Sequence, residues 1–250
     1  MTFFANAATP KNGYHVSVTR DASIVEEAQQ FRAKRFALPC SRDQDALDQL
    51  CEHVVIRDAQ NNDIVCCFRM FVMPAAQINQ SYAARYYDLS GLENFDGHML
   101  ELGRFCIDPD RRDPDILRRA WAMLTDAVDA RDIKLLFGCS SFTGIDPKPY
   151  QNAFRYLHEH ARAPDRWSPR CKSQDVFFFV NSAKPPAEAK RAFLQMPPLL
   201  RSYIGMGGWV SDHAVVDRTM NTLHVFTAVE TASIPPARQR SLRALRDGQN

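Results

Sequence analysis

The segments MLELGRFCI at residues 99–107 and IKLLFGCSSF at residues 133–142 decide the fold class. Both are apolar runs of strand length, which predicts two buried strands. Between them Asp113 is a candidate helix N-cap, Pro114 is the first helical residue, and an apolar face of helical period follows. A strand, a helix and a strand joined by short links are typical of a parallel unit in which the helix covers the sheet.

Weaker patterns extend this to an α/β fold with a mixed β-sheet flanked by helices, in a single domain over residues 1–250. Ser41 and Gln44 fit a capping box, which would place Asp45 and Asp48 on one face of a short helix. Residues 233–250 are rich in arginine and predict a flexible basic tail. The other predicted elements are helices over 24–36, 151–160 and 187–206, the last broken at Pro197 and Pro198, and strands over 53–57, 64–72, 176–180 and 210–229.

The composition is that of a globular and nearly neutral protein. The 250 residues include 31 basic and 29 acidic side chains, a net charge of +2, which argues against a dedicated nucleic-acid-binding protein. We find no signal peptide and no apolar run long enough to span a membrane. Seven cysteines without a CxxC pair argue against a disulfide framework or a zinc site, and predict reduced thiols in the cytoplasm and no bound metal.

Glu101 and Arg104 are the strongest candidates for chemistry. Residues three apart on a regular strand point to opposite faces of the sheet, so this pair could share one site only if the strand is irregular. Gly103 between them is typical of a β-bulge, which would bring both side chains to one side and is common beside active sites. A surface charge pair on an edge strand is the alternative that the residues leave open.

Longer segments carry a resemblance to a known family. They are LELGRFCIDPDRR at 100–112, FGCSSFTGIDP at 137–147, and PPLLRSYIGMGGWVSDHAVVD at 197–217 followed by MNTLHVF at 220–226. Together they resemble the bacterial ornithine N-acyltransferases that make lyso-ornithine lipid. These enzymes belong to the acetyltransferase-like (GNAT) superfamily and are similar to the acyl-homoserine-lactone synthases. The likeness extends from residue 24 to residue 229 and implies a GNAT-type fold and an acyltransferase activity.

The sequence pattern of the lactone synthases can be carried over residue by residue, and the resemblance implies that the matching residues bind substrate or act in catalysis. The matches are Arg32 and Phe36 on the first helix, Asp45 and Asp48, Arg69 on the hairpin, and Glu101 with Arg104. Those synthases carry a tryptophan six residues after the phenylalanine. Arg42 stands at that place here, which counts against a lactone synthase.

The resemblance implies transfer of a 3-hydroxyacyl group to the α-amine of L-ornithine. The superfamily usually holds the pyrophosphate of coenzyme A in a glycine-rich loop, whereas the loop at 108–115 reads DPDRRDPD and contains no glycine. The expected donor is therefore the phosphopantetheine thioester of acyl carrier protein, with no other cofactor. Glutamine or another amino acid stays open as the acceptor. The non-enzyme alternative is a module that binds a carrier protein or nucleic acid.

A direct attack of the amine on the thioester is the implied mechanism. Glu101 would be the general base, directly or through a water molecule. A backbone N–H near Phe105 would stabilise the oxyanion, and Arg104 would keep Glu101 ionised or contact the acyl donor.

The remaining candidate residues are assigned to substrate binding. Cys139, Ser140, Ser141 and Phe142 would flank the pantetheine arm, Asp45 and Asp48 suit a cationic acceptor group, and Arg32 or Arg69 suits its carboxylate. A nucleophilic Cys139 is the alternative, although a cysteine on a strand is more often an inert small hydrophobe.

Basic residues predict two docking surfaces. Arg111, Arg112, Arg118 and Arg119, with Lys148 and Arg155, would dock an acidic acyl carrier protein. The basic tail would favour peripheral contact with the anionic inner face of the cytoplasmic membrane. Solvated surface charges are the alternative for both.

Overall fold

The computed structural model describes residues 13–111, 113–182 and 188–247. The strands are β1 (Tyr14–Thr19), β2 (Glu52–Asp58), β3 (Ile64–Pro74), β4 (Tyr87–Asp88), β5 (His98–Ile107), β6 (Ile133–Thr143), β7 (Arg170–Cys171), β8 (Val176–Phe178), β9 (Trp209–Val210), β10 (His213–Asp217) and β11 (Thr222–Glu230). The helices are α1 (Ala22–Arg35), α2 (Pro114–Ala130), α3 (Gln151–His160), α4 (Ala189–Gln195), α5 (Pro198–Gly205) and α6 (Pro236–Asp247).

These elements group into two compact units. Unit 1 contains the described residues of 13–72, 102–132 and 236–247, and unit 2 contains those of 73–101 and 133–235. Each unit combines antiparallel strands with helices, which confirms the predicted α/β class.

In unit 1 the first three strands form an antiparallel meander. β1 pairs with β2 from Tyr14 opposite Asp58, and β2 pairs with β3 through His53 opposite Arg69. α1 begins where the Asp21 carboxylate accepts hydrogen bonds from two backbone N–H groups of the first turn. The apolar core beneath this helix consists of Ala28, Val55, Cys67 and Cys106.

The two other helices of unit 1 pack on each other. α2 has the predicted start, with Asp113 as N-cap and Pro114 as its first residue. The prediction of a flexible tail is wrong over 236–247, because these residues form α6, which packs on α2 and buries Leu242. The prediction followed the arginine-rich composition of the segment and overlooked that its few apolar residues, Leu242 among them, have the spacing of one helix face.

In unit 2 an antiparallel sheet has the order β6-β11-β10-β8, with β9 also paired to β11. The predicted single strand over 210–229 is wrong, because a turn at 218–221 folds it into the β10–β11 hairpin. One face of this sheet packs on α3 and α4 around Phe142 and Phe154. On the other face Ser141 lies opposite His224.

The predicted capping box is wrong by four residues. The short helix is a 3-10 helix at Ala46–Gln49, with Asp45 as its N-cap. The Asp48 carboxylate reaches back to the Asp45 backbone N–H at 3.1 Å, which completes a reciprocal capping box. Two predicted site residues therefore meet directly at the start of this turn.

Candidate functional site

Three arginines and three aspartates of unit 1 form a buried ion-pair network, which we call the Arg–Asp cluster. Its members are Arg32 on α1, Asp43, Asp45 and Asp48 on the segment that follows, Arg69 on β3 and Arg104 on β5. All but Asp43 are residues that the sequence predicts for a site. Their equal and opposite charges permit burial, because each charge has ionic partners.

Arg32 lies at the centre of the cluster with 1% of its surface exposed. Its Nε donates to Asp43 Oδ2 at 2.8 Å, and its Nη2 donates to Asp48 Oδ1 at 3.0 Å and to the Asp43 carbonyl at 2.6 Å. A substrate carboxylate could reach this guanidinium only by displacing these aspartates. The structure therefore gives Arg32 a framework role, against the sequence-based assignment to the substrate carboxylate.

Arg69 binds Asp45 and shares Asp48 with Arg32. Its Nη1 donates to Asp45 Oδ1 at 2.7 Å and to Asp48 Oδ1 at 3.0 Å, and 2% of the residue is exposed. Burial alone would raise the pKa of both carboxyls, but the hydrogen bonds and charges of the neighbouring arginines outweigh it and hold each pKa below its usual value. Whether Asp45 and Asp48 contact a cationic acceptor stays a prediction.

Arg104 sits on an irregular part of β5. Its φ of 54° is left-handed, whereas the sequence placed the irregularity at Gly103. A non-glycine residue in this conformation costs about 1–3 kcal/mol and persists where surrounding contacts hold it. One of the contacts that hold Arg104 is Asp43 Oδ2, which accepts a hydrogen bond from Arg104 Nε at 2.9 Å and another from Arg32 Nε. Asp43 thus links the strained strand to α1.

His53 completes the cluster, and no sequence motif indicated it. Its Nε2 lies 3.1 Å from the Asp48 carbonyl and its Nδ1 lies 3.4 Å from Arg32 Nη1. Because a carbonyl only accepts and a guanidinium only donates, these contacts fit a neutral ring with its hydrogen on Nε2. Burial lowers the pKa of His53 in agreement with that state.

Glu101 lies in unit 2 with 4% of its surface exposed. Oε2 accepts a hydrogen bond from the Tyr82 backbone N–H and Oε1 accepts one from the Ala83 N–H, both at 2.8 Å. Both donors begin the 3-10 turn Ala83–Arg85, so the carboxylate caps that turn in its ionised form. Tyr203 on α5 is buried, and its burial together with the Glu101 charge raises its pKa.

The turn that Glu101 caps carries two tyrosines and an arginine that the sequence analysis missed. The rings of Tyr82 and Tyr86 lie 5.2 Å apart, and the Tyr82 hydroxyl donates to the Tyr86 hydroxyl at 3.3 Å. The Arg85 guanidinium lies 5.6 Å from the centre of the Tyr82 ring. Their spacing of three and four residues is the only sequence signal for this shared face.

The predicted pantetheine-binding residues alternate along β6. Ser141 is exposed and Cys139 is half-buried, whereas Ser140 and Phe142 are buried on the face that packs against helices. The alternation is that of a regular strand, so the two buried side chains point away from the other two. The pantetheine role stays a prediction.

Two predicted aromatic site residues pack within unit 1. Phe36 is partly buried against the core beneath α1. The Phe105 ring stacks on Phe68 with centroids 5.3 Å apart. The role of the backbone N–H near Phe105 stays a prediction.

The predicted docking residues differ in their exposure. Arg119 is 8% exposed, which is against a docking role because a buried guanidinium presents little charge to a partner. Arg118 and Arg111 pair with aspartates of unit 1, and Arg155 pairs with Glu159, at 2.8–3.0 Å. Lys148 is exposed, and Arg112 lies outside the described residues.

The loop before α2 places carboxylates where a pyrophosphate cradle would lie. Asp113 accepts from the backbone N–H of Asp115 at 2.9 Å and from the Tyr14 hydroxyl at 2.8 Å. Asp108 pairs with Arg35 at 2.8 Å. A helix N-terminus attracts anions through its N–H groups and dipole, and here the chain's own carboxylates already occupy it.

Within the described residues no group of three or more His, Cys, Asp or Glu side chains could hold a metal ion. No helix in that part of the chain is both long and apolar enough to cross a membrane. The seven cysteines are free thiols, and the Sγ atoms of Cys67 and Cys106 lie 3.7 Å apart.

Comparison with known proteins identifies similar sequences over most of the chain. Residues 25–122 match the acetyltransferase (GNAT) domain family. An L-ornithine N(alpha)-acyltransferase of Rhodobacter capsulatus is 31% identical over 91% of this chain and 93% of its own. A protein of the same name from Brucella abortus is 29% identical over 74% of this chain and 69% of its own. Among solved structures, an N-acyl amino acid synthase from uncultured soil microbes has a TM-score of 0.48 at 12% identity, covering 93% of this chain and 100% of that one.

Proposed function

The chain belongs to the L-ornithine N(alpha)-acyltransferase family, as its motifs predict, and from this we propose that it transfers a 3-hydroxyacyl group from acyl carrier protein to the α-amine of L-ornithine. The product would be lyso-ornithine lipid, the first intermediate of ornithine lipid biosynthesis. The observation that carries the proposal is the 31% identity to a relative of that name across 91% of this chain.

The start of α2 supports a carrier-protein donor over coenzyme A. A pyrophosphate placed there would meet the carboxylates of Asp113 and Asp115. The loop at 108–115 also contains no glycine, so its side chains would keep a pyrophosphate away from the backbone N–H groups. Phosphopantetheine on a carrier protein lacks the adenine nucleotide and needs no such cradle. The Arg118 and Lys148 side chains are each exposed and can attract an acidic carrier protein.

Glu101 is the proposed base for the amine. Amide formation makes an N–C bond and breaks the thioester C–S bond; the α-ammonium loses two protons, one of which leaves with the thiol. A carboxylate oxygen has two lone pairs, so the hydrogen bonds that Glu101 accepts from the backbone of the turn do not by themselves prevent it from accepting a proton.

We expect this reaction in the cytoplasm, with peripheral contact between the protein and the anionic face of the membrane. The arginines of α6 support that contact, because the helix presents Arg240 and Arg243 to solvent.

The test is an assay of the purified protein with L-ornithine and either 3-hydroxyacyl carrier protein or the matching acyl coenzyme A. We expect a product with the mass of acylated ornithine, formed at least tenfold faster from the carrier protein. A glutamine product in a competition assay would change the acceptor, and no product from any amino acid would overturn the function.

A Glu101→Gln variant tests the base. We expect a loss of about a hundredfold or more in kcat, because a positioned base contributes on the order of 10²–10⁴. Glu93→Gln is the control, since Glu93 is exposed and its carboxylate accepts from Asn79. Near wild-type turnover of Glu101→Gln across the pH range would show that another group accepts the proton.

A further inference from the structure

We propose that a basic strip on unit 2 is the surface on which the acidic acyl carrier protein docks. The strip consists of residues 84–91 and 165–172, and we call it the basic ribbon. This inference rests on the proposed function, because it presupposes a donor that is held by a carrier protein.

The two segments of the basic ribbon run side by side. β4 pairs with β7, so the segments are antiparallel. Lys172 lies at one end, where its Nζ donates to the Ala84 carbonyl at 2.6 Å. At the other end the carbonyl oxygen of Arg166 lies 3.0 Å from the place that a Cβ on Gly91 would take. Arg170 lies between them in the paired part, so three cationic residues follow one another along the ribbon.

The positive charge of the basic ribbon is not neutralised by the protein itself. Arg166, Arg170 and Lys172 are exposed, and none of them forms an ion pair within the part of the chain that the structure describes. The hydrogen bonds of Ser90, and then the charges of Arg170 and Lys172, lower the pKa of Asp88, which is therefore ionised. The ribbon still contains four basic and two acidic residues, a net charge of +2 in 16 residues.

Arg166 is held on an aromatic ring. Its guanidinium lies 4.8 Å from the centre of the Trp167 ring, which in turn lies 5.2 Å from the buried ring of Phe95. A cation that is already stacked on a fixed ring loses little side-chain freedom when a partner binds. Arginine and tryptophan are also the residues that most often contribute binding energy at protein interfaces.

The basic ribbon is connected to the proposed base. Lys172 binds the carbonyl of Ala84, and the neighbouring Ala83 donates its backbone N–H to Glu101 at 2.8 Å. A carrier protein on the ribbon would therefore hold its thioester beside the turn that Glu101 caps. The donor must reach the base, so a docking surface next to this turn suits the reaction.

The surface favours an acidic protein over a lipid membrane. The exposed large hydrophobic residues of the described part of the chain lie outside the basic ribbon, at Leu50, Ile145, Phe178, Val180 and Leu194. A membrane-binding surface combines positive charge with apolar side chains that enter the lipid. Positive charge without such side chains fits the carboxylates of a hydrated protein surface.

Two of the arginines first predicted to dock the carrier protein already have partners. Arg118 pairs with Asp115 at 3.0 Å, and Arg155 pairs with Glu159 at 2.8 Å. A carboxylate of the carrier protein would compete with these neighbours. On the basic ribbon it would meet cations that form no ion pair within the described residues.

The experiment measures KM for the 3-hydroxyacyl carrier protein in the double variant Arg166→Glu, Arg170→Glu, which we call the ribbon variant. The matched control is Arg191→Glu, Arg218→Glu, which reverses two arginines that are 67% and 69% exposed. We expect this KM to rise about tenfold in the ribbon variant and less than about twofold in the control, because each reversal replaces attraction by repulsion only where the carrier docks. KM for ornithine and kcat at saturating donor should keep their wild-type values. Added salt should raise KM for the carrier protein more in the wild type than in the ribbon variant.

The outcomes separate the docking surface from the function. A ribbon variant with an unchanged KM for the carrier protein, or with a rise no larger than that of the control, overturns the docking surface while the function stands. An equal rise in KM for ornithine also overturns it, because the change would then not be specific to the donor. If the ribbon variant instead loses only sedimentation with vesicles of anionic lipid, the ribbon binds lipid and the proposal is wrong. A wild type that uses acyl coenzyme A but not the acyl carrier protein overturns the proposed donor, and the docking surface with it.

Discussion

Replacing Arg32 by methionine tests whether the Arg–Asp cluster is a structural framework. The side chain is 1% exposed and binds both Asp43 and Asp48, at 2.8 Å and 3.0 Å. Methionine has a similar length and no charge, so the variant leaves two buried carboxylates without one of their partners. Breaking a buried ion pair in this way costs about 3–5 kcal/mol of stability.

The remaining contacts place the expected loss at the lower end of that range. Asp43 still binds Arg104 at 2.9 Å, and Asp48 still binds Arg69 at 3.0 Å. We therefore expect a loss of about 3 kcal/mol in the free energy of unfolding. At about 2–4 °C per kcal/mol for a protein of this size, Tm should fall by about 6–12 °C.

Urea denaturation followed by circular dichroism measures this loss, with Arg42→Met as the control. Arg42 pairs with Glu26 at 3.0 Å, but the two side chains are 43% and 50% exposed, so its loss should cost less than about 1 kcal/mol. An Arg32→Met variant as stable as the control, with ornithine binding lost, would refute the framework role and restore the substrate role predicted from sequence.

Two other predictions concern stability. Lowering the pH from 8 to 5 should decrease the free energy of unfolding, because burial lowers the pKa of His53 in the folded chain. The stability that neutral His53 contributes is fully present above the unfolded pKa of about 6.5, and it is lost as the pH falls below that value. Urea titrations at each pH should show that the free energy of unfolding depends less on pH in His53→Asn than in the wild type. An equal pH dependence in the two proteins would contradict the lowered pKa of His53. Gly208→Ala should cost at least about 1–3 kcal/mol, since a Cβ there would lie 2.7 Å from the Tyr203 carbonyl oxygen and 2.8 Å from that of Ala228. Gly205→Ala, which meets nothing within 4 Å, should be neutral or stabilising, and equal losses in a thermal denaturation would exclude the steric explanation.

Local signals in the sequence predicted the elements well. Asp113 and Pro114 fix the start of α2 because a cap and a first-turn proline act on adjacent backbone groups. The break at Pro197 likewise separates α4 from α5. The turn at 218–221 escaped prediction because the apolar residues on both sides of it read as one strand.

The site was harder to predict because its partners are distant in the chain. The sequence pattern identified Arg32 and Asp48 as site residues but did not show that they pair with each other. No local pattern identified Asp43, whose carboxylate accepts from both Arg32 and Arg104. Arg85 was missed for another reason: the 3-10 helix that carries it has three residues, which is too short for a spacing of three and four residues to be recognised as a helical period.

The position of α6 has a consequence for synthesis of the protein. The residues of unit 1 that α6 packs against are made before residue 132, whereas Leu242 is made only after the whole of the second segment of unit 2. During translation the surface of α2 that α6 covers therefore stays exposed while about a hundred residues of unit 2 are synthesised. Slow elongation through that stretch would prolong the exposure of an apolar helix face to chaperones and to aggregation.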